Sequence, residues 1–147
     1  MGISIEHAVN VGAPPAVIWR LLIDPQTWGS WWRDCIDARS VDFRNLREGS
    51  EMELTLQPRH SKMTMHPIVD LMVEEKTLSI THRGPFLQAT AAWYLDASEA
   101  GTRVKVQGAF TGIGPLVMRP FGARETAHFS LHASLRDLKK IAERMAV

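Results

Sequence analysis

Arg124 and His128 are the residues of this sequence best placed by spacing to do chemistry. Leu131, Leu135, Leu138 and Ala142 recur every three to four residues. Stepping back along that stripe at 100° per residue reaches His128 and then Arg124. An apolar helix face that turns polar at its N-terminal end offers an imidazole and a guanidinium one turn apart. Both heads can meet on one anionic or carbonyl group. Side by side, the cation would lower the histidine's proton affinity, leaving it neutral at pH 7 and able to accept a proton. Arg124 would stay charged and orient a carboxylate, phenolate or carbonyl. The plainer alternative is a frayed helix end with both residues solvated. His82 is a third candidate acid or base, in phase with Leu78 and Ile80 on the apolar side of a strand. Its plainer alternative is a core histidine satisfied by a neighbour, or a strand end in water.

Other constellations carry less. His128 and His132 stand four apart, as two metal ligands on a helix would. The Glu of a His-Glu-x-x-His pattern is missing and no carboxylate is placed as third ligand, so no metal is expected. Cys35 is the only cysteine, and no base is placed to activate it. It reads as structural, and a single thiol fits a reducing, cytoplasmic compartment. No nucleophile elbow, phosphate loop or dinucleotide fingerprint occurs, so no cofactor is expected. Over 147 residues, 45% are hydrophobic, 22% are charged and the net charge is +1. That balance describes an ordinary globular chain and leaves no electrostatic footprint for nucleic acid. No apolar run approaches the length of a membrane span, and the N-terminus does not read as a signal peptide.

The elements that must position these residues follow from periodicity. Ile3 to Val11 alternates apolar and polar, a half-buried first strand. Pro15 suits a helix's first turn, and Val17, Ile18, Leu21 and Leu22 follow at helical spacing. Asp24-Pro25 starts a second short helix carrying Trp28, Trp31 and Trp32, three of the five tryptophans. Strands are predicted over Ile36 to Phe43, from Gly49 through Leu56, Met65 to Val73, Thr77 to Arg83, Phe86 to Leu95 and Thr102 to Phe110. Pro67 implies an edge or bulge in the third of these. Leu116 to Arg119 reads as a short helical piece, and the chain ends in a helix of at least four turns. One antiparallel sheet curled around that helix buries its stripe, and the two short helices close one end. The apolar phases place Trp31, Met52, Leu54, Trp93 and Phe110 toward the space between helix and sheet. Tyr94 falls out of phase and points away. Met52, Met63, Met65, Met72 and Met118 supply either adaptable lining or ordinary core.

In this order, Ala13 to Trp19, Asp24-Pro25 through Trp31-Trp32, Gly49 before a strand, Trp93-Tyr94-Leu95, Gly101 to Val104 and the closing helix resemble a known pattern. The chain is similar to the START-like, or SRPBCC, superfamily, and in particular to its polyketide cyclase/dehydrase-like branch. The resemblance implies a single α+β domain over residues 1–147 with a helix-grip fold. Its six- to seven-stranded antiparallel sheet would wrap around the C-terminal helix, with two short helices after the first strand. It implies an internal cavity, with Arg124, His128 and His82 at its polar end. Members include lipid and quinone carriers, hormone receptors, Hsp90 co-chaperone-like domains, oxygenase domains and a minority of cyclases. The expected function is binding of a hydrophobic or amphipathic small molecule, such as a lipid, quinone or polyketide-like aromatic. The alternatives are a polyketide cyclase/dehydratase using cavity acid–base residues, and a protein-interaction domain.

Overall fold

A computed structural model describes residues 3–57, 62–85, 87–112 and 123–147, with the side chains of 123–130 excepted. The first strand, β1 (Ile3–Val11), alternates buried and exposed positions as its sequence does. Helix α1 (Pro15–Ile23) starts on Pro15, whose missing N–H has no helical partner to lose. Asp24 then accepts a bond from the Gln26 N–H at 3.2 Å, and Pro25 opens one turn of 3-10 helix (Pro25–Thr27). That turn runs straight into α2 (Trp28–Trp31). Burying indoles requires partners for their N–H groups. Trp28 donates to the Leu22 carbonyl at 2.9 Å, and Trp31 to the Thr27 hydroxyl at 3.4 Å.

Seven strands follow: β2 (Cys35–Ser40), β3 (Met52–Leu56), β4 (Met63–Met65), β5 (Ile68–Val73), β6 (Thr77–Arg83), β7 (Leu87–Ser98) and β8 (Gly101–Gly112). All pairings are antiparallel, in the orders β1-β8-β7-β6-β5 and β2-β3-β4. The stretch read as one strand from Met65 to Val73 is thus divided, and Pro67 is the reason: it has no N–H for a ladder. The pairing register nevertheless survives the break. Leu54 stands opposite Met65 and Glu51 opposite Ile68, while the Met52 N–H donates to the Pro67 carbonyl between them at 2.9 Å. β4 and β5 are two halves of one bent strand against a continuous partner, and through that partner the two ladders form one curled antiparallel surface. β2 ends at Ser40, short of the expected Phe43, which instead lies half exposed beneath the Arg47 guanidinium at 3.9 Å. The stretch Leu116 to Arg119 falls outside the described residues.

The closing helix, α3 (Ala123–Met145), lies in the concavity. Leu131, Leu135, Leu138 and Ala142 are buried, as their spacing predicts. Three contacts fix its direction along β1. The His132 ring stands 5.3 Å from that of His7, Lys139 Nζ donates to the Asn10 carbonyl at 2.8 Å, and Glu143 accepts from the Gly12 N–H at 2.7 Å. The helix therefore runs in the same direction as β1, with its C-terminal end fastened where β1 turns into α1. Glu143 also accepts from Lys139 at 2.8 Å. Below that corner Gly101 has φ +136°, and a Cβ there would stand 2.1 Å from the Val11 carbonyl oxygen. Thr102 completes the corner by donating to the Ala13 carbonyl at 2.8 Å. No helix among the described residues is long and apolar enough to cross a membrane.

Two outcomes follow for this corner. Gly101→Ala forces a side chain onto backbone in a left-handed conformation and should lower the unfolding free energy by about 2 kcal/mol or more. Urea denaturation measures it, and a loss below about 0.5 kcal/mol, the size of a neutral surface change, would contradict the close approach. The second concerns Glu143, whose carboxyl is held below the usual range by the bond from Lys139 and then by the Gly12 N–H. A lowered folded value means stability present above the ordinary carboxyl range and lost as pH falls through the folded value. Glu143→Gln should be less stable than wild type at pH 7, with the difference closing as pH falls below about 4. Unfolding midpoints that differ equally at both pH values would refute this.

Candidate functional site

Reading across β6, β7, β8 and β1, the inward residues form rows. Leu78, Trp93, Val106 and His7 make one. Two residues along lie Ile80, Ala91, Gly108 and Ile5, and two further His82, Ala89, Phe110 and Ile3. The first row is bulky and meets the helix directly. The next two have Ala91, Gly108 and Ala89 at their centre, where little side chain rises from the sheet. There an apolar recess of about 40 Å³ remains. Its floor is these small residues with Ile80, His82 and Phe110; Leu54, Leu56, Met65 and Pro67 form the opposite wall. Trp32 closes one side and Leu131 of α3 another. Whole drug-sized ligands occupy pockets of roughly 300–1,000 Å³. This recess suits the end of a molecule.

The tryptophans explain why the recess stops where it does. Trp28, Trp31, Trp32 and Trp93 pack with ring centroids 5.5 to 6.2 Å apart, Trp31 and Trp32 near parallel. Trp28 and Trp31 pack against Trp93 of the bulky row, and Trp32, the residue that caps α2, lines the recess. Gly108 lets the helix down onto the floor: a Cβ there would stand 3.1 Å from Leu131 Cδ1.

Among the described residues His82 is the one ionisable side chain in the wall. Its Nδ1 accepts the His66 N–H at 3.1 Å, which joins β6 to the bend between β4 and β5. A neutral imidazole accepting at Nδ1 carries its proton on Nε2, which leaves Nε2–H as a donor. The Nε2 edge faces the Gly84 turn, where a Cβ would come within 2.7 Å of it. To take a proton from a ligand, His82 must first release His66. Thr90, also at the recess, belongs to the convex-facing row between Thr81 and Ala109. Tyr94 faces outward as expected, under the Lys105 ammonium at 5.0 Å. Cys35 is buried, and burial is the main reason its thiol is pushed up to about 12, outweighing the bond from the Asp37 backbone. It is no nucleophile at neutral pH.

Of the residues singled out in the sequence, Leu54, His82 and Phe110 meet at the recess. Trp31, Met52 and Trp93 are buried beside it in the packed interior, within the right phase but at another depth. Trp93 is two residues from Ala91, and Met52 two from Leu54. Arg124 and His128 lie in the described backbone of α3, one turn apart, but their side chains fall outside the described residues. Met65, read as either adaptable lining or ordinary core, is in the wall, whereas Trp32, Leu56, Ile80 and the small residues of the floor are not among the sequence's site candidates. The alternation of Ala89 and Ala91 in phase with Trp93 was the signal for a gap.

The fold recurs in solved structures. Protein MLL2253 from Mesorhizobium loti is 17% identical at a TM-score of 0.75, covering 98% of this chain and 99% of that one. Protein NE0264 from Nitrosomonas europaea is 19% identical at 0.73, covering 97% and 96%. The di-domain ARO/CYC StfQ from the steffimycin biosynthetic pathway is 14% identical at 0.77, with 99% of this chain matching 52% of that one. At such identities the likeness is one of fold. No curated protein matches in sequence. The family model for polyketide cyclase/dehydrase and lipid transport matches residues 2–143, and the chain belongs to that family.

Proposed function

We propose that this protein binds a hydrophobic or amphipathic small molecule, a lipid, quinone or polyketide-like aromatic, with its apolar end in the recess beneath α3. The observation that carries the reading is the recess itself: a carbon-walled gap under the helix, made by Ala89, Ala91 and Gly108 where larger side chains would have closed it. The family's description, which couples cyclases with lipid transport, supports the same class of ligand. A single buried thiol, Cys35, favours a cytoplasmic setting. The cyclase or dehydratase reading has one observation of its own, His82 in the recess wall. It comes second because that imidazole already accepts from His66.

Titration of a long-chain fatty acid, a short-chain quinone and a naphthol into the protein tests the reading, with tryptophan fluorescence as readout because Trp32 forms part of the wall. Ala91→Val adds two methyl groups to the floor. It should weaken the best of these ligands at least about tenfold while costing about 1–3 kcal/mol of stability at most. Equal affinity of a folded Ala91→Val variant would place the ligand elsewhere and end this reading.

A further inference from the structure

We propose that His82 is a pH-sensitive latch: its neutral ring holds the bend between β4 and β5 against β6, and protonation of the ring lets the bend go. The latch stands apart from the binding reading; only its effect on a ligand rests on that reading. The β5–β6 ladder runs from Val73 opposite Thr77 to Ile68 opposite Thr81. One residue further, the register sets Pro67 against His82, and proline has no N–H to offer. The His82 side chain takes over, with Nδ1 accepting the N–H of His66, the residue before the proline, at 3.1 Å. A backbone ladder is indifferent to pH between about 5 and 8. This substitute is not, because only the neutral imidazole has an acceptor nitrogen. The second proton goes to Nδ1, and N–H then faces N–H where a hydrogen bond stood. The latched form is therefore favoured above the range in which imidazoles protonate and is lost as pH falls through it. Met65 and Pro67, on either side of His66, both line the recess, so the latch holds part of its wall. The bend's other ties run to β3, through Leu54 opposite Met65 and the Met52 N–H on the Pro67 carbonyl. The titratable and charged groups on the elements around His82 are Lys62 and His66 beside β4, Asp70 on β5 and Arg83 on β6. The first turns of α3 add Arg124, Glu125 and His128, whose side chains fall outside the described residues, while β7 and β8 present Ala89 and Phe110. Among the described residues none of these groups forms an ion pair with His82.

Amide hydrogen exchange on the ligand-free protein, corrected for the intrinsic pH dependence of exchange, tests the latch directly. Protection of the His66 amide should fall about fivefold between about pH 7.5 and about pH 5.5, the worth of one hydrogen bond. The Ile80 amide, on a strand paired on both sides, should keep its protection. His82→Gln replaces the ring with an amide that does not titrate, and His82→Phe removes the acceptor. Both should abolish the pH difference at His66, and the phenylalanine variant should show low protection at both pH values. Equal protection at both pH values in wild type, or a fall in either variant as large as that in wild type, overturns the latch. Binding of 1-decanol, which is uncharged at both pH values, reads the effect on the recess. Wild type should bind it about fivefold more weakly at the lower pH, and His82→Gln equally at both. An affinity in wild type that does not change with pH overturns the coupling of latch to recess. Absence of decanol binding at either pH counts against the binding reading, and the exchange measurement still decides the latch.

Discussion

Everything about this fold depends on how closely α3 can approach the concave sheet. The approach is set by what rises from the floor beneath it. At Gly108 nothing rises, and Leu131 comes so near that a Cβ there would be 3.1 Å from its Cδ1. Two residues away the sheet carries Trp93 between Leu78 and Val106, and the gap is filled outright. At the far end the helix is fastened by polar bonds, Glu143 to the Gly12 N–H and Lys139 to the Asn10 carbonyl. Packing thus grades along one axis: pinned where β1 turns, solid over the tryptophans, and open where the small residues lie. The recess follows from that gradient.

The chemistry available in the recess follows from the same arrangement. A pocket that runs acid–base catalysis needs an ionisable group with a free position at the reacting atom. His82 is at the wall, yet its acceptor nitrogen is taken by the backbone of the β4–β5 bend. That bond has a structural role of its own, since it ties β6 to the place where Pro67 interrupts the ladder. A residue that holds the sheet together is a poor base until released. The four-tryptophan cluster beside it makes the wall stiff, which suits shape selection over rearrangement.

Much of this is legible in the amino-acid sequence. The alternation in Ile3–Val11, the Asp24-Pro25 start and the Leu131-to-Ala142 stripe are local signals with a physical cause, and each became its element. The C-terminal helix and the successive turns then leave few ways to bury the stripe. What was not legible was depth. Period two says which face of a strand Met52, Leu54, Ala91 and Trp93 occupy. It does not say how far along the sheet the helix stops touching, so Trp93 and Met52 were grouped with Leu54 although they lie in the solid part. Trp31 and Trp32 show the same limit, because a one-turn helix gives no stripe from which to choose between neighbours. A gap is harder still to read, being an absence of atoms. The row Ile80-Ala91-Gly108 assembles from three strands and exists only once the register is known.

The size of the gap also bears on why the sequence keeps it. In cavities left by truncating core leucines, each Å³ of void costs about 24 cal/mol. A recess of about 40 Å³ therefore costs at most about 1 kcal/mol, and less to the extent that it opens to solvent. Filling it would be easy, since a valine at position 91 would supply the missing carbon. A chain with alanine and glycine at three neighbouring inward positions, and four tryptophans clustered beside them of which Trp32 reaches the wall, has little packing at one place and concentrates it at the next. The energy forgone is recovered whenever a hydrocarbon group of the right size enters, because that group makes the dispersion contacts the protein leaves unmade. A small void of low cost beside an aromatic cluster is the feature on which the proposed binding of an apolar group rests.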